Sequence, residues 1–313
     1  MPSRPRKSSR SYPAYLDLIE NGEFEQRCNE LLAILESCTL CPRRCAVNRL
    51  EDERGTCGVG RKAVVSSVHP HFGEESPLVG RKGSGTVFFS GCNLKCLFCQ
   101  NYEISQNASG VEVDAEGLSD IMRRIRHLGC HNLNLVTPTH IVPQVLEALE
   151  VAVGHGFDLP IVYNTGGYDS IEVIRLLDGI VDIYMPDIKY LSSEAAERYS
   201  KAPDYPDVIR EVMREMHRQV GDLEIGTDGV AVRGLLVRHL VMPGLLEDTD
   251  RIMKFLADDI SRDTYVNVMR QYHPCYRAYQ FPPLDRSLST TEWKDAVDMA
   301  KAAGLYRLDK PYF

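Results

Sequence analysis

Residues 86 to 105 read TVFFSGCNLKCLFCQNYEIS. The first five, Thr86 to Ser90, form a short run of apolar, β-branched and aromatic side chains, the composition of a buried strand. Directly behind it stand Cys92, Cys96 and Cys99, spaced C-x3-C-x2-C on the loop that leaves the strand. Thiolate sulfur is the ligand that iron–sulfur clusters use. Three close thiols can hold three corners of a cubane and leave its fourth iron open, as catalytic zinc sites also keep one position open. On the residues alone, a zinc ion completed by a His or a distant Cys would use the same three thiols.

Outward from this loop the chain falls into a rhythm. LNLVT (133–137), PIVYNT (160–165), IVDIYMPDI (180–188), GLLVRHLVM (234–242) and TYVNVMRQY (264–272) read as further strands. Helical periodicity fills 115–128, 141–153, 170–177, 193–200, 206–219, 249–258 and 290–303. Six strands alternating with helices predict an α/β fold of parallel βα units, either an open doubly wound sheet or a partial barrel. In both, reactive residues belong at the carboxyl ends of the strands. Cys92, Thr137, Asn164, Thr165, Asp187 and Lys189 stand there. Upstream, residues 24–36 predict an amphipathic helix and Val64–Val68 a short strand. The chain divides into a disordered basic tail over 1–11, rich in Ser and Pro, a helix and Cys-rich extension over 12–85, and a core over 86–313.

Composition narrows the setting. The 313 residues are 43% hydrophobic, enough to bury a sizeable core. A net charge of -8 disfavours a nucleic-acid backbone as partner. No apolar stretch approaches the ~20 residues of a membrane span, and no secretory leader is visible. Ten cysteines in such a chain point to metal rather than disulfides, and to a reducing cytoplasm.

The triad's spacing and its place behind a buried strand, with Phe98 before the third Cys and Asn101–Tyr102 after it, resemble the radical S-adenosylmethionine (SAM) superfamily. Within it, the match is to the pyruvate formate-lyase activating enzymes and their uncharacterised relatives, over about residues 38–280. The resemblance implies a partial (βα)6 barrel and a [4Fe–4S] cluster on Cys92, Cys96 and Cys99. It implies SAM chelated by the open iron, and reductive cleavage to a 5′-deoxyadenosyl radical that takes hydrogen from a substrate. A low-potential electron donor of flavodoxin or ferredoxin type is implied with it. NLVTPTH (134–140) puts Thr137 and Pro138 where the family carries Gly-Gly-Glu against the SAM amino group; Thr139 would otherwise cap the next helix. YNTGGYD (163–169) resembles the family's Asp-Thr-Asn-Gly turn and offers Asn164, Thr165 and Gly166. YMPDIK (184–189) resembles its Met-x-Asp-x-Lys segment, with Asp187 beside a monovalent cation and Lys189 on SAM. Thr165 matches that cation site, but Asn164 replaces an Asp, and the lost charge weakens it. LVRHLVMPG (236–244) supplies Arg238 for the SAM carboxylate, and QYHP (271–274) supplies His273 near SAM.

Cys38, Cys41, Cys45 and Cys57 follow C-x2-C-x3-C-x11-C, which suits a four-thiolate zinc site or a second iron–sulfur cluster. Cys28 and Cys130 read as buried small apolar residues and Cys275 as a weak candidate for the active site; His69, His71, Glu74 and Glu75, in the loop before the first core strand, read first as surface polar residues, with the active site as the alternative. The first expectation for function is hydrogen abstraction from a backbone glycine of a glycyl radical protein. The second is radical modification of a small metabolite or peptide. A third is a metal-binding electron-transfer protein without SAM chemistry, against which the Gly-rich turn, Arg238 and Lys189 speak.

Overall fold

The computed structural model describes residues 12–107 and 109–309. The basic tail expected over 1–11 lies outside the described residues. Nine strands form the sheet: β1 (Ala63–His71), β2 (Ser84–Phe89), β3 (Val111–Val113), β4 (Leu133–Val136), β5 (Ile161–Thr165), β6 (Ile183–Pro186), β7 (Glu224–Ile225), β8 (Ala231–Leu240) and β9 (Tyr265–Met269). The order is β3-β1-β2-β4-β5-β6-β8-β7, with β9 also paired to β8. Steps β2-β4-β5-β6-β8-β9 are all parallel, so the six expected strands make one parallel arc, a partial barrel. β1, β3 and β7 join it antiparallel at its margins.

Alternation sorts the strand residues between two layers. Leu135, Ile161 and Tyr163 face the helices and meet Val142, Val145, Leu146 and Leu149. Val162, Ile183, Met185 and Leu236 face inward and form a separate buried cluster. Asn134 is the register partner of Val162, so it shares the inward face, and Asn164 lies two residues along from Val162. The covering helices are amphipathic. Ala115–His127 buries Leu118, Met122 and Ile125, is capped by the Asp114 carboxylate accepting from Gly117 N–H, and places Arg124, Arg126 and His127 against its C-terminal dipole. The last helix, Thr290–Ala303, starts with a full capping box between Ser289 and Glu292.

The segment between β1 and β2 corrects one expectation. Glu74 and Glu75 are buried, at 7% and 3% exposure, not surface residues. Pro77 at the start of the one-turn helix Ser76–Val79 turns the chain inward. Leu78 then enters the inner cluster with Val162, Ile183, Met185 and Leu236. Asn132, just before β4, fixes this plug by donating to the Leu78 carbonyl (2.9 Å) while accepting from Ser84 Oγ (2.6 Å). His71 keeps Nδ1 3.2 Å from Glu74 Oε1. Cys28 and Cys130 are buried as expected. Among the described residues no helix is long and apolar enough to cross a membrane.

Candidate active site

The loop leaving β2 has little regular structure, and its neighbours hold it. Lys95 and Leu97 N–H donate to the carbonyls of Ser200 and Tyr199 (3.3 and 2.9 Å), and the Leu97 carbonyl accepts from Arg277 N–H (2.9 Å). Each thiol has a polar partner. Leu94 N–H donates to Cys92 Sγ (3.4 Å), Cys96 Sγ meets Ser200 Oγ (3.0 Å), and Cys99 Sγ meets Ser105 Oγ (3.2 Å). Tyr190 OH reaches the same Ser200 hydroxyl (3.2 Å). Burial, with Cys96 alongside, pushes the Cys92 thiol up to about 12; burial also raises Cys96, against the pull of the Lys189 ammonium. A bound metal reverses this, because a coordinating thiol is deprotonated outright. The donor set fits an iron–sulfur cluster: three thiols on one loop, N–H and O–H groups at the sulfurs, and a cation close by. Among the described residues, no three His, Cys, Asp or Glu side chains are already gathered around a single-ion position; the fit rests on donor chemistry.

Beside this loop the structure brings Asn164, Asp187, Lys189 and Arg238 into one network. Arg238 Nε donates to Asp187 Oδ1 and its Nη2 to Asn164 Oδ1, both at 2.8 Å, while Nη1 lies 3.8 Å from Glu74 Oε2. Lys189 Nζ donates to Asp187 Oδ2 (2.7 Å). Burial works against the Asp187 carboxylate, but Arg238 and Lys189 outweigh it and hold the group at about 2. Burial likewise opposes charge on Lys189 and Arg238, and Asp187 reverses that, raising both. A ligand carboxylate that takes Nε or Nη2 of Arg238 would do so in exchange for Asp187 or Asn164. A monovalent cation would compete with Lys189 and Arg238 for Asp187.

Backbone geometry brings the turns close. A Cβ on Gly166 would lie 3.1 Å from Leu94 of the cysteine loop and 3.8 Å from Lys189 Cε. Gly167, at φ +79°, leaves room for the Asp187 carbonyl, which a Cβ would approach to 2.7 Å. Tyr205 OH lies 3.0 and 2.9 Å from the carbonyls of Gly166 and Asp187 and accepts from Lys189 N–H (3.1 Å). Thr137 takes φ +58°, uncommon for a β-branched residue, with its N–H on the Asn164 carbonyl (2.7 Å).

Four placements differ from, or add to, the sequence reading. Thr139 does not cap the helix Val142–Gly154, whose N-cap is Ile141. It donates instead to the buried Asp169 (2.6 Å) and touches Thr165 Oγ1 (3.0 Å). Thr165 Oγ1 also donates to Asp169 (2.6 Å) and accepts from Gly167 N–H (3.1 Å), so its hydroxyl is committed away from a cation. Pro138 lies in the outer apolar layer with Leu135 and Tyr163. His273 is exposed at the rim, with Nδ1 3.1 Å from the Gln271 carbonyl, which also accepts from Gln100 (3.2 Å).

Sequence reasoning missed the buried polar groups beside the inner apolar cluster. Asn267 on β9 donates to Glu75 Oε1 (2.9 Å), while Glu75 Oε2 has no hydrogen-bond partner. Burial raises the Glu75 carboxyl, with Arg238 working against it. Asn134 is fully buried and neither of its amide atoms is partnered. A polar residue at an inward position of the apolar run LNLV was the available signal.

Comparison with known proteins gives the chain its family. An uncharacterised protein of Methanocaldococcus jannaschii is 34% identical over 288 residues, covering 89% of this chain and 78% of that one. A second from the same organism is 26% identical over 269 residues, covering 79% and 73%. Among solved structures, Streptococcus suis SuiB bound to S-adenosylmethionine aligns with a TM-score of 0.47 and 12% identity, over 71% of this chain and 48% of that one. Residues 86–256, more than half of the chain, match the family model of the Radical SAM superfamily. The chain belongs to that superfamily.

Proposed function

We propose that this radical SAM enzyme takes a hydrogen atom from a small polar substrate, a metabolite or short peptide, held inside the barrel. Asn134 carries the reading: an inward-facing amide, fully buried, with donor and acceptor both unpaired. An unpaired buried polar group costs about 1–3 kcal/mol, which a matching ligand group recovers. Asn134 and the free oxygen of Glu75 suit an amide, hydroxyl or amino group. Cys92, Cys96 and Cys99 would hold the cluster. With SAM it supplies one-electron cleavage of the sulfonium and the carbon radical that removes the hydrogen atom. Lys189 and Arg238 would take the SAM carboxylate by exchanging contacts with Asp187 and Asn164. Leu78 and the apolar inner cluster keep water from the floor.

A second reading, activation of a glycyl radical protein, is favoured by the rim. Tyr102 and Tyr276 stack there with ring centroids 5.1 Å apart, and Tyr279 is 67% exposed. Exposed tyrosines are good anchors for a polypeptide. Either reading needs a low-potential donor of flavodoxin or ferredoxin type. The test is anaerobic: reconstitute with iron and sulfide, reduce with dithionite, add SAM, and measure 5′-deoxyadenosine. We expect product from the intact chain and none from Cys92→Ala/Cys96→Ala/Cys99→Ala. Small-molecule fractions should stimulate it, and Asn134→Ala should weaken that stimulation about tenfold, a loss of about 1.4 kcal/mol. Stimulation by a macromolecular fraction alone, indifferent to Asn134→Ala, would transfer the assignment to the second reading.

A further inference from the structure

Four cysteines stand outside the site described so far. Cys38, Cys41, Cys45 and Cys57 come from a segment that the match to the superfamily does not cover, and the fold brings all four to the wall of one small cavity. They are free thiols. The chain doubles back to gather them. Cys38 N–H donates to the Val47 carbonyl, Ala46 N–H to the Cys38 carbonyl and Arg44 N–H to the Cys41 carbonyl, each at 3.0 Å. Cys45 sits between Arg44 and Ala46, two non-glycine residues at φ +41° and +56°. Such conformations cost of order 1–3 kcal/mol each and persist where the surroundings impose them.

Two independent features point to a ligand in this cavity. The first is hydrogen bonding to sulfur. In the cluster loop, Leu94 N–H bonds Cys92 Sγ (3.4 Å). Thr56 N–H bonds Cys45 Sγ in turn (3.4 Å). N–H groups aimed at cysteine sulfur stabilise thiolate and are the usual outer partners of metal-bound cysteine. The second is His140, 1% exposed, which lines the same cavity. Its Nε2 lies 2.9 Å from the Ser90 carbonyl, which only accepts, so Nε2 carries a proton. Nδ1 has no partner.

The cavity also abuts the catalytic loop. The contact runs through Asn93, which lies between Cys92 and Cys96. Arg43 Nε donates to the Asn93 carbonyl (2.9 Å) and its Nη2 to the Ser200 carbonyl (3.4 Å), while Ser200 Oγ meets Cys96. A Cβ on Gly91 would lie 2.6 Å from the Cys57 carbonyl. Residues 91 and 93 therefore rest directly on the four-cysteine segment.

We propose that Cys38, Cys41, Cys45 and Cys57 hold a second, thiolate-bound metal centre, and that this centre braces the loop bearing Cys92. Zinc and an iron–sulfur cluster share the four-thiolate chemistry, and the experiment separates them. The full-length Cys92→Ala/Cys96→Ala/Cys99→Ala variant, purified anaerobically, is assayed for metal and acid-labile sulfide. About one zinc per chain without visible absorbance, or about four irons with sulfide, supports the centre and names its metal. In either case the metal must vanish when Cys38→Ser and Cys41→Ser are added. No stoichiometric metal in the triad variant overturns the proposal. Should that variant not fold, wild type is compared with Cys38→Ser/Cys41→Ser; metal contents that do not differ overturn it equally. Bracing is read from Arg43→Ala, which keeps all seven candidate cysteine ligands. Its reduced-cluster EPR spectrum should shift at unchanged metal content and circular dichroism. An unchanged spectrum would refute the bracing.

Discussion

At the residue scale, the site turns on two carboxyls that their surroundings push in opposite directions. Asp187 sits between Arg238 and Lys189 and is held at about 2. Glu75 is buried beside Asn267, and burial raises it. Their substitutions should act oppositely on stability. Asp187→Asn removes the shared partner of two part-buried cations and should cost about 1–3 kcal/mol in urea unfolding at neutral pH. A depressed folded value means the stabilisation from Asp187 is present above the ordinary carboxylate range and is lost as pH falls toward about 2. The variant and wild type should therefore converge on acidification, and a gap constant with pH would contradict the ion-pair account. Glu75 is the reverse case. A raised folded value makes its ionisation cost stability as pH rises past the ordinary range, so Glu75→Gln should stabilise the fold at neutral pH and lose that gain in acid. No gain at pH 7 would mean that its surroundings solvate the carboxylate. Asp187, Lys189 and Arg238 were legible in the sequence because each stands at a strand end in a recognisable motif. Glu74 and Glu75 were not, because two adjacent charged residues in a Gly-flanked stretch carry no sign of burial.

At the scale of elements, the six parallel strands were readable because both of their faces are covered, and a strand buried on two sides is a plain apolar run. β3 and β7 were missed for the complementary reason: three and two residues long and largely exposed, they offer no alternation. The fourth parallel strand was read too long. Ile180 and Val181 are buried, but in the turn ahead of β6, where burial comes from packing and not from a ladder. The plug was invisible because one helical turn, Ser76–Val79, is shorter than any period. Its weight can be measured. Leu78 is fully buried against Val162, Ile183, Met185 and Leu236, and Leu78→Ala should cost about 2–5 kcal/mol. The same change should reduce substrate stimulation, because Glu74 and Glu75 lie four and three residues upstream on this segment. A plug that only seals the barrel would lose stability and leave stimulation intact at temperatures where the variant stays folded.

For the molecule as a whole, order is unevenly distributed. The arc from β2 to β9 is tied by continuous ladders, with β5 paired on both edges and buried throughout. The cysteine loop has no ladder. It hangs on Ser200, Tyr199 and Arg277 by backbone bonds and on the N-terminal segment by Arg43 and Gly91. Such a segment opens at a lower free energy than the core unless a ligand ties it down. Because ligand that binds only the folded form stabilises it in proportion to its binding free energy, cluster loading should protect this loop more than the barrel. Hydrogen exchange of the chain with and without its iron should then show a gain in protection at residues 91–101, reaching Tyr199–Lys201 and Arg277 through their bonds to the loop. β5 should change little, since its slow exchange reports global unfolding. A uniform gain across the barrel would instead mean that the loop and the core unfold as one unit, and that the bonds at Ser200, Tyr199 and Arg277 couple them more tightly than their number suggests.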